Sequence, residues 1–384
     1  MRTILKIVII LFFVASLIVL LKALFLSSYP DFSAYYYNPQ MVFNGENPYI
    51  GGTNLYTPTT YPPFSFILFA PASLFSFELA GKLITSLSIV LLLTSLVLIF
   101  IIEKIKVKSY LFLFIAALVF SYFPVKFTLG MGQINIFVLF FFTLFLYFLK
   151  MKKGFLAGLF IALSLLTKLF PLLIFPYLFH KKEYKLLTYA FLIIFAVVGL
   201  SFMLISGEIN IFFYQKIFPS FLNSWQSDYY NQSISGILSR SISDIQVRLI
   251  FKQLFVIIML IASILILRKS KLKNISFEVG YLVTVMLLIN GFSWQHHFTW
   301  LILPLIITLF FLVKKRYHKF YYILLFIAYF LTAINFSSPS SLPVLIQSHV
   351  FFGTLLLWIL DSILILKTSA VSSEHYPKKL SPDE

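Results

Sequence analysis

The sequence predicts an all-α polytopic membrane protein of about twelve transmembrane helices, with a surface helix in the first outer loop. Of its 384 residues, 60% are hydrophobic and only 11% are charged, whereas a soluble domain averages about 25% charged residues. At roughly 20 residues per span, this length fits about ten to thirteen crossings. Short loops leave no room for a sizeable soluble domain. Soluble catalysis, nucleic-acid binding and extracellular scaffolding are therefore excluded as leading interpretations.

The net charge of +17, from 30 Lys and Arg against 13 Asp and Glu, is explained by the same fold class. Basic residues accumulate in the cytoplasmic loops of membrane proteins, so the charge does not require a nucleic acid or another polyanion as partner. Cysteine is absent, which excludes a disulfide framework and any cysteine-based metal site.

The first predicted span covers about residues 4–26. Arg2 and Lys6 precede it, and it is longer than a signal-peptide core, with no clear small-residue cleavage site before Ser27. We expect a helix that crosses the membrane with its N-terminus in the cytoplasm.

Basic clusters between the later apolar stretches determine which segments cross. They lie near residues 104–108, 150–153, 181–185, 268–273 and 314–319, and we place all of them in the cytoplasm. Residues 27–62 contain no Lys or Arg and should lie outside. Residues 63–102 connect this outer stretch to the first basic cluster and must then cross the membrane an odd number of times. One span at about 80–102 satisfies this, and Pro62 to Phe77 becomes a helix on the outer surface, started by the Pro-Pro pair.

The same parity predicts the rest of the topology. Residues 154–179 lie between two basic clusters and must cross an even number of times, as two short helices that meet near Thr167, Lys168 and Pro171. The other spans fall at about 109–124, 134–149, 186–206, 248–267, 276–291, 298–313, 320–335 and 349–366. Both termini are then cytoplasmic, residues 1–368 form one transmembrane domain, and residues 369–384 form a short polar cytoplasmic tail.

Asp31 is the leading candidate for chemistry. It follows the first predicted span by a few residues within an aromatic stretch, which should hold it at the membrane boundary. Partial burial there raises the pKa of a carboxylate and makes it a better proton acceptor. The alternative is that Asp31 caps a helix or only marks the interface.

Other polar residues gather on the predicted outer side. Amide side chains both donate and accept hydrogen bonds, as sugar hydroxyls require, and cations or imidazoles suit a phosphate. Lys168 lies within an apolar hairpin, where a cation usually has a partner, although it could also extend to water. Apart from Lys168, each of these residues taken alone is more often a loop cap or an interfacial anchor. The candidates are Gln133, Asn135, Gln232, Arg240, Lys168, His296 and His297.

No metal site is predicted. His296 and His297 are adjacent and do not share one face of a helix, and no Cys or H-E-x-x-H partner accompanies them. We expect a reaction without metal or other cofactor.

In their order along the chain, these motifs resemble glycosyltransferase family 87, which includes polyprenyl-phosphate-mannose-dependent α-1,2-mannosyltransferases of the GT-C fold. The resemblance covers roughly residues 27–300. It rests on Asp31-Phe32 with Tyr35, Asn44 to Tyr49, Tyr61-Pro62-Pro63-Phe64, Gly132 to Asn135, Lys168 to Pro171, Asn231-Gln232-Ser233 with Arg240, and Ser293 to His297.

The resemblance implies a GT-C-type bundle with surface helices in its first outer loop and a lipid-linked sugar donor. It assigns to Asp31 the role of the essential acidic residue after the first span. On this basis we predict inverting transfer of a hexose, by resemblance mannose, from a polyprenyl phosphate to a glycolipid or glycan acceptor at the outer face of the cell membrane. Asp31 would be the general base. Lys168, Arg240 and His296 or His297 would bind the donor phosphate, and Gln133, Asn135, Gln232, Tyr35 and Tyr61 would contact the substrates.

Two alternatives remain open from the residues alone. A lipid-linked sugar transporter or flippase would also be polytopic and basic inside, but it usually shows internal repeats and ionisable groups at mid-membrane. A transferase that uses diphosphate-linked oligosaccharides would normally have a large outer loop late in the chain. The late outer loop predicted here, at about residues 336–348, is short. Short loops and a composition rich in Phe and Lys leave the sugar and the acceptor undefined.

Overall fold

The computed structural model describes residues 2–50, 59–107, 109–220, 227–272 and 274–374. This part of the chain is helical, and its β-structure is limited to one isolated bridge between Asn231 and Trp294. The predicted all-α class is confirmed. Residues 375–384 of the predicted tail lie outside the described residues.

The described residues up to His180 form nine α-helices, with short 3-10 segments at Ala70–Leu74 and Phe170–Leu173. They are α1 (Arg2–Leu26), α2 (Phe32–Phe43), α3 (Pro63–Phe69), α4 (Phe77–Ile102), α5 (Tyr110–Ser121), α6 (Phe123–Met131), α7 (Asn135–Lys150), α8 (Gly154–Thr167) and α9 (Ile174–His180).

Ten α-helices follow, with a π-helical segment at Phe213–Ile217 and 3-10 segments at Gln295–Leu301 and Pro339–Ser341. They are α10 (Tyr184–Leu204), α11 (Gly207–Phe212), α12 (Phe218–Ser220), α13 (Ile234–Ser241), α14 (Ile245–Lys269), α15 (Ile275–Ile289), α16 (Ile302–Lys315), α17 (Lys319–Ala333), α18 (Val344–Gln347) and α19 (His349–Glu374).

Six helices in the described residues are long and apolar enough to cross a membrane, and the bent pair α5–α6 makes a seventh. The six begin at Thr3, Phe77, Tyr184, Ile245, Gln295 and His349. The other predicted spans correspond to the apolar helices α7, α8, α9, α15 and α17, which are shorter than the roughly 20 residues that a straight crossing needs. The count of about twelve spans therefore stays a prediction.

Local sequence explains the breaks between helices. Pro63 begins α3, which with the following 3-10 segment forms the helix predicted between Pro62 and Phe77. The pair α5–α6 bends by 58° at Tyr122, because Pro124 follows in the first turn and lacks the N–H that would continue α5. The hairpin predicted around Lys168 is also present, since α8 ends at Thr167 and α9 follows a 3-10 turn.

The core lies around α15 and α16. Within the 18-residue apolar stretch of each candidate span, 89% of the residues are buried in the span that contains α16, compared with 11% in both α1 and α14. The helices α1 and α14 therefore stand at the periphery, where their exposed apolar faces are suited to lipid. α19 continues to Glu374, so the boundary between the domain and its tail stays a prediction.

Buried carboxylates tie together the helix ends that are predicted to be cytoplasmic. Glu103 is 2% exposed and accepts Lys150 Nζ at 3.2 Å and Lys314 Nζ at 2.8 Å. Glu278 is 1% exposed and pairs with Lys181 at 2.6 Å. Its other contacts come from the hydroxyls of Tyr177 and Ser270, both at 2.6 Å.

Four basic residues at these same ends have a left-handed backbone. They follow or cap α4, α7, α9 and α16, and their φ angles lie between 51° and 62°: Lys104, Lys152, Lys182 and Arg316.

Candidate active site

Asp31 lies in the short turn between α1 and α2. Its backbone N–H donates to the carbonyl of Met131 at 2.9 Å, which fixes the turn against the end of α6. Gly132 makes this close approach possible, because its φ is +71° and a Cβ atom there would lie 2.6 Å from Phe32 Cβ. At Gly130, two residues earlier, a Cβ would meet only Ser27 Oγ at 3.6 Å.

One amide, that of Gln133, joins the predicted base to the predicted phosphate-binding cation. Its Nε2 donates to Asp31 Oδ2 at 2.7 Å, and its Oε1 accepts from Lys168 Nζ at 3.2 Å. Tyr35 Oη donates to the same Oε1 at 2.9 Å, and Tyr61 Oη lies 3.1 Å from Nε2. With His297, described next, these residues form what we call the Gln133 cluster.

Lys168 extends from the C-terminus of α8 into this cluster. The side chain is 7% exposed, and Nζ lies 5.9 Å from the centre of the Tyr61 ring. Nζ also lies 3.1 Å from His297 Nε2. The structure therefore brings six of the candidate residues together, while their roles stay predictions: Asp31, Lys168, Tyr35, Tyr61, Gln133 and His297.

The hydrogen bonds of His297 determine its tautomer. The backbone N–H of Trp294 donates to His297 Nδ1 at 3.1 Å, so the hydrogen of a neutral imidazole lies on Nε2. That N–H points toward Lys168 Nζ. An uncharged amine has a lone pair that can accept this hydrogen, whereas an ammonium has none.

Burial shifts the acid–base properties of both charged members. It raises the pKa of Asp31 above its ordinary value, although the hydrogen bond from Gln133 and the charge of Lys168 partly oppose the shift. Burial also lowers the pKa of Lys168 to about 7, against the attraction of Asp31. A carboxylate with a raised pKa is suited to a general base. The amine can change charge within the physiological pH range.

Asn135 and His296 lie beside the cluster. The carbonyl of Asn135 accepts from Trp300 Nε1 at 2.9 Å, and the Trp300 ring stacks on His297 with centroids 5.5 Å apart. Both side-chain polar atoms of Asn135 are buried without a partner in the described residues, as is His296 Nδ1. Buried polar groups normally have partners, which makes these atoms candidates for substrate contacts.

Arg240 and Gln232 belong to a different group of contacts. Arg240 donates to the carbonyls of Asp228 and Asn231, at 2.7 and 3.1 Å, and to Ser348 Oγ at 3.0 Å. Burial lowers its pKa to about 10. Gln232 Nε2 is held by two backbone carbonyls, each at 2.7 Å. No hydrogen bond of the described residues joins either side chain to Lys168. These contacts favour a structural role for Arg240, and its assignment to a phosphate stays a prediction.

The backbone connects the two groups. Gln232 N–H donates to the carbonyl of Ser293 at 2.8 Å, and Asn231 bridges to Trp294. The segment that contains Asn231 and Gln232 is thus fastened to the turn that positions His297, and a change at Arg240 can reach the Gln133 cluster through this turn.

Asn38 is a candidate that the sequence analysis missed. It is 1% exposed, and neither of its polar side-chain atoms has a partner in the described residues. It lies seven residues after Asp31, two helical turns along the same face of α2 as Tyr35. That spacing is the sequence signal that would have identified it.

The described residues contain no group of three His, Asp or Glu side chains that could hold a metal ion. A comparison with curated proteins finds no match. The sequence model of glycosyltransferase family 87 matches residues 59–290, more than half of the chain. That range contains Tyr61, Gln133, Asn135, Lys168, Gln232 and Arg240, whereas Asp31, Tyr35, His296 and His297 lie outside it. The chain is helical, has several helices apolar enough to span a membrane, and belongs to glycosyltransferase family 87.

Proposed function

We propose that the protein is an inverting transferase that moves a hexose from a polyprenyl-phosphate donor to a hydroxyl of a glycolipid or glycan. The observation that carries the proposal is the position of Asp31 and Lys168 at opposite ends of one amide, that of Gln133. A general base and a cation for the leaving phosphate are the two groups this reaction needs. Membership of the family favours a transferase over a transporter.

The upper limit on the spacing leaves room for an inverting arrangement. The two hydrogen bonds of Gln133 and its own bond lengths limit the distance between Asp31 Oδ2 and Lys168 Nζ to about 8.5 Å. Inverting glycosidases place their two carboxyl groups about 6.5–9.5 Å apart, because a nucleophile must fit between the base and the sugar. By the same reasoning, an acceptor hydroxyl and an anomeric carbon fit between Asp31 and a phosphate held by Lys168.

In the proposed reaction, Asp31 takes the proton of the acceptor hydroxyl while that oxygen attacks the anomeric carbon. The bond from this carbon to the phosphate oxygen breaks, and the lipid phosphate leaves with the bonding electrons. Its added negative charge would be stabilised by the Lys168 ammonium and the Nε2–H of His297. Gln133, Tyr35, Tyr61 and the unpartnered amide of Asn135 would orient sugar hydroxyls. Mannose is proposed from the family resemblance.

We place the site at the outer face of the cell membrane, with both termini in the cytoplasm. Asp31 follows the C-terminal end of α1, and the basic N-terminal end of this helix favours the cytoplasmic side. The residues of the Gln133 cluster also lie in loops or at helix ends remote from the basic clusters. A lipid-linked donor would enter laterally from the bilayer.

The decisive experiment measures transfer of radiolabelled mannose from synthetic polyprenyl-phosphate-mannose to endogenous acceptors in purified membranes. Asp31→Asn keeps the shape of the side chain but cannot accept the proton, so transfer should fall about 10²-fold or more. Glu46→Gln is the matched control, because Glu46 is an exposed carboxylate of the same predicted loop. Undiminished transfer by a well-inserted Asp31→Asn protein would remove Asp31 from the mechanism. Absence of transfer by the wild type would refute the proposed donor.

A further inference from the structure

A second cationic site lies away from the Gln133 cluster, at the beginning of α14. A cavity of about 320 Å³ separates α13 from the first two turns of α14. Its lining combines the polar residues Ser235, Ser239, Arg248 and Lys252 with the apolar residues Leu238, Ile245 and Leu249. We call it the α14 cavity. Liquid water occupies about 30 Å³ per molecule, so the volume is ample for a phosphate group and the first atoms of its ester.

Two polar atoms facing this region have no protein partner in the described residues. Ser235 is 3% exposed, and its Oγ makes no hydrogen bond. Arg248 Nε is also buried without a partner, and the guanidinium makes only a long contact, from NH2 to the carbonyl of Ser243 at 3.4 Å. A buried hydroxyl and a guanidinium N–H are donors that an anion would satisfy.

The neighbouring charges point to the same ligand. Arg248 and Lys252 are four residues apart and therefore lie on one face of α14, where like charges repel. The nearest carboxylate in sequence, Asp244, is already used, because it accepts the backbone N–H groups of Gln246 and Val247. None of the ion pairs in the described residues includes Arg248. A bound anion would offset this repulsion.

Lys252 is directed inward, not along the helix surface toward water. Its Nζ lies 3.0 Å from the position that a Cβ atom of Gly291 would occupy, and Ser235 Oγ lies 3.3 Å from the same position. The missing side chain at Gly291 thus leaves room for the amine beside the hydroxyl. A lysine that only extended to the membrane surface would not need this space.

The position of α14 defines where the ligand comes from. Only 11% of the residues in its 18-residue apolar stretch are buried inside the protein, so most of the helix faces lipid. The distance from Arg248 to Arg268 is about 30 Å at about 1.5 Å per residue, which matches the thickness of a bilayer's hydrocarbon core of about 30 Å. The α14 cavity therefore lies at the level of lipid headgroups, whichever side of the membrane this end occupies.

We infer that the α14 cavity binds the phosphate of a membrane lipid, with Arg248 and Lys252 as cations and Ser235 Oγ as an additional donor. The inference needs α14 to span the bilayer but does not depend on the proposed transferase reaction. The phosphate belongs either to a phospholipid headgroup or to a polyprenyl phosphate, since both present the same chemistry at this depth.

Native mass spectrometry of the purified protein in detergent tests this inference, with dioleoyl phosphatidate as the probe. The wild type should retain one phosphatidate that Arg248→Gln/Lys252→Gln binds about tenfold or more weakly, because each lost contact is a charge-assisted hydrogen bond. The matched control Lys82→Gln/Lys216→Gln removes two cations elsewhere, a half-buried Lys82 and an exposed Lys216, and should bind as the wild type does. Equal retention by the wild type and the Arg248/Lys252 variant would overturn the inference.

Two further measurements keep the result clear. Ser235→Ala removes only a hydroxyl and should weaken binding without unfolding the protein, and Arg248→Lys/Lys252→Arg should restore it. If Ser235→Ala does not weaken binding and Arg248→Lys/Lys252→Arg does not restore it, the weaker binding of Arg248→Gln/Lys252→Gln comes from damaged folding. That result would contradict the site. Competition with undecaprenyl phosphate identifies the source: displacement of phosphatidate assigns the cavity to a polyprenyl lipid, and retention assigns it to a phospholipid headgroup.

Discussion

The charge of Lys168 should control the pH dependence of donor use. Its pKa is lowered from 10.5 to about 7 by burial, which corresponds to about 5 kcal/mol against the ammonium form. The amine should be about 90% charged at pH 6 and about 10% charged at pH 8. Because kcat/KM reports the ionisation of the free enzyme, it should fall about tenfold per pH unit above 7. By contrast, kcat should fall less, since a bound phosphate keeps the ammonium charged.

The assay measures transfer from synthetic polyprenyl-phosphate-mannose at graded donor concentrations, between about pH 5.5 and about pH 9. It uses membranes that contain wild-type or variant protein. Lys168→Arg keeps a charge that does not titrate in this range, so a variant that remains active should lose the alkaline decline. On the acidic side, activity should fall as the pH drops through the raised pKa of Asp31. An alkaline decline that persists unchanged in active Lys168→Arg protein would refute this account of Lys168.

Three other substitutions separate function from stability. Asn135→Leu should lower transfer without lowering the unfolding temperature, because its side-chain amide has no partner to lose among the described residues. Asn210→Leu removes a fully hydrogen-bonded amide and should do the reverse. Gly132→Ala should cost about 1–3 kcal/mol and displace Asp31, whereas Gly130→Ala should stay within about 0.5 kcal/mol in the same thermal unfolding assay; similar losses in both would contradict the close-approach argument. Glu278→Gln should lower the free energy of unfolding by about 3 kcal/mol, since it breaks a buried ion pair. An unchanged unfolding temperature would show that this pair is dispensable.

Charge and hydropathy predicted much of the helix order. The basic clusters led to the helix between Pro62 and Phe77 and to the hairpin broken at Lys168, and both are present. The predicted bounds of α7, α15 and α17 also agree with the structure to within about two residues. What hydropathy did not decide is whether helices this short cross the membrane, because a straight crossing needs roughly 20 residues.

The site was predicted in part for a physical reason. Asp31, Gln133 and Lys168 each carry a recognisable polar side chain near a helix end, so their residue types indicated chemistry. Their contact joins positions up to about a hundred residues apart and depends on how α2, α6 and α8 pack, which periodicity does not encode. Arg240 shows the opposite case, because its charge suggested a phosphate but its donors hold backbone carbonyls.

The left-handed basic turns place two demands on the same residues. At Lys104, Lys152, Lys182 and Arg316 the backbone has the conformation that glycine adopts without cost, and an L-residue there sacrifices about 1–2 kcal/mol. A glycine would strengthen each turn, but in the proposed topology it would remove one of the charges that keep the neighbouring helix ends on the cytoplasmic side. Selection for stability alone would therefore erode the orientation signal. A protein engineered for greater thermal stability should keep these four cations and seek its gains elsewhere.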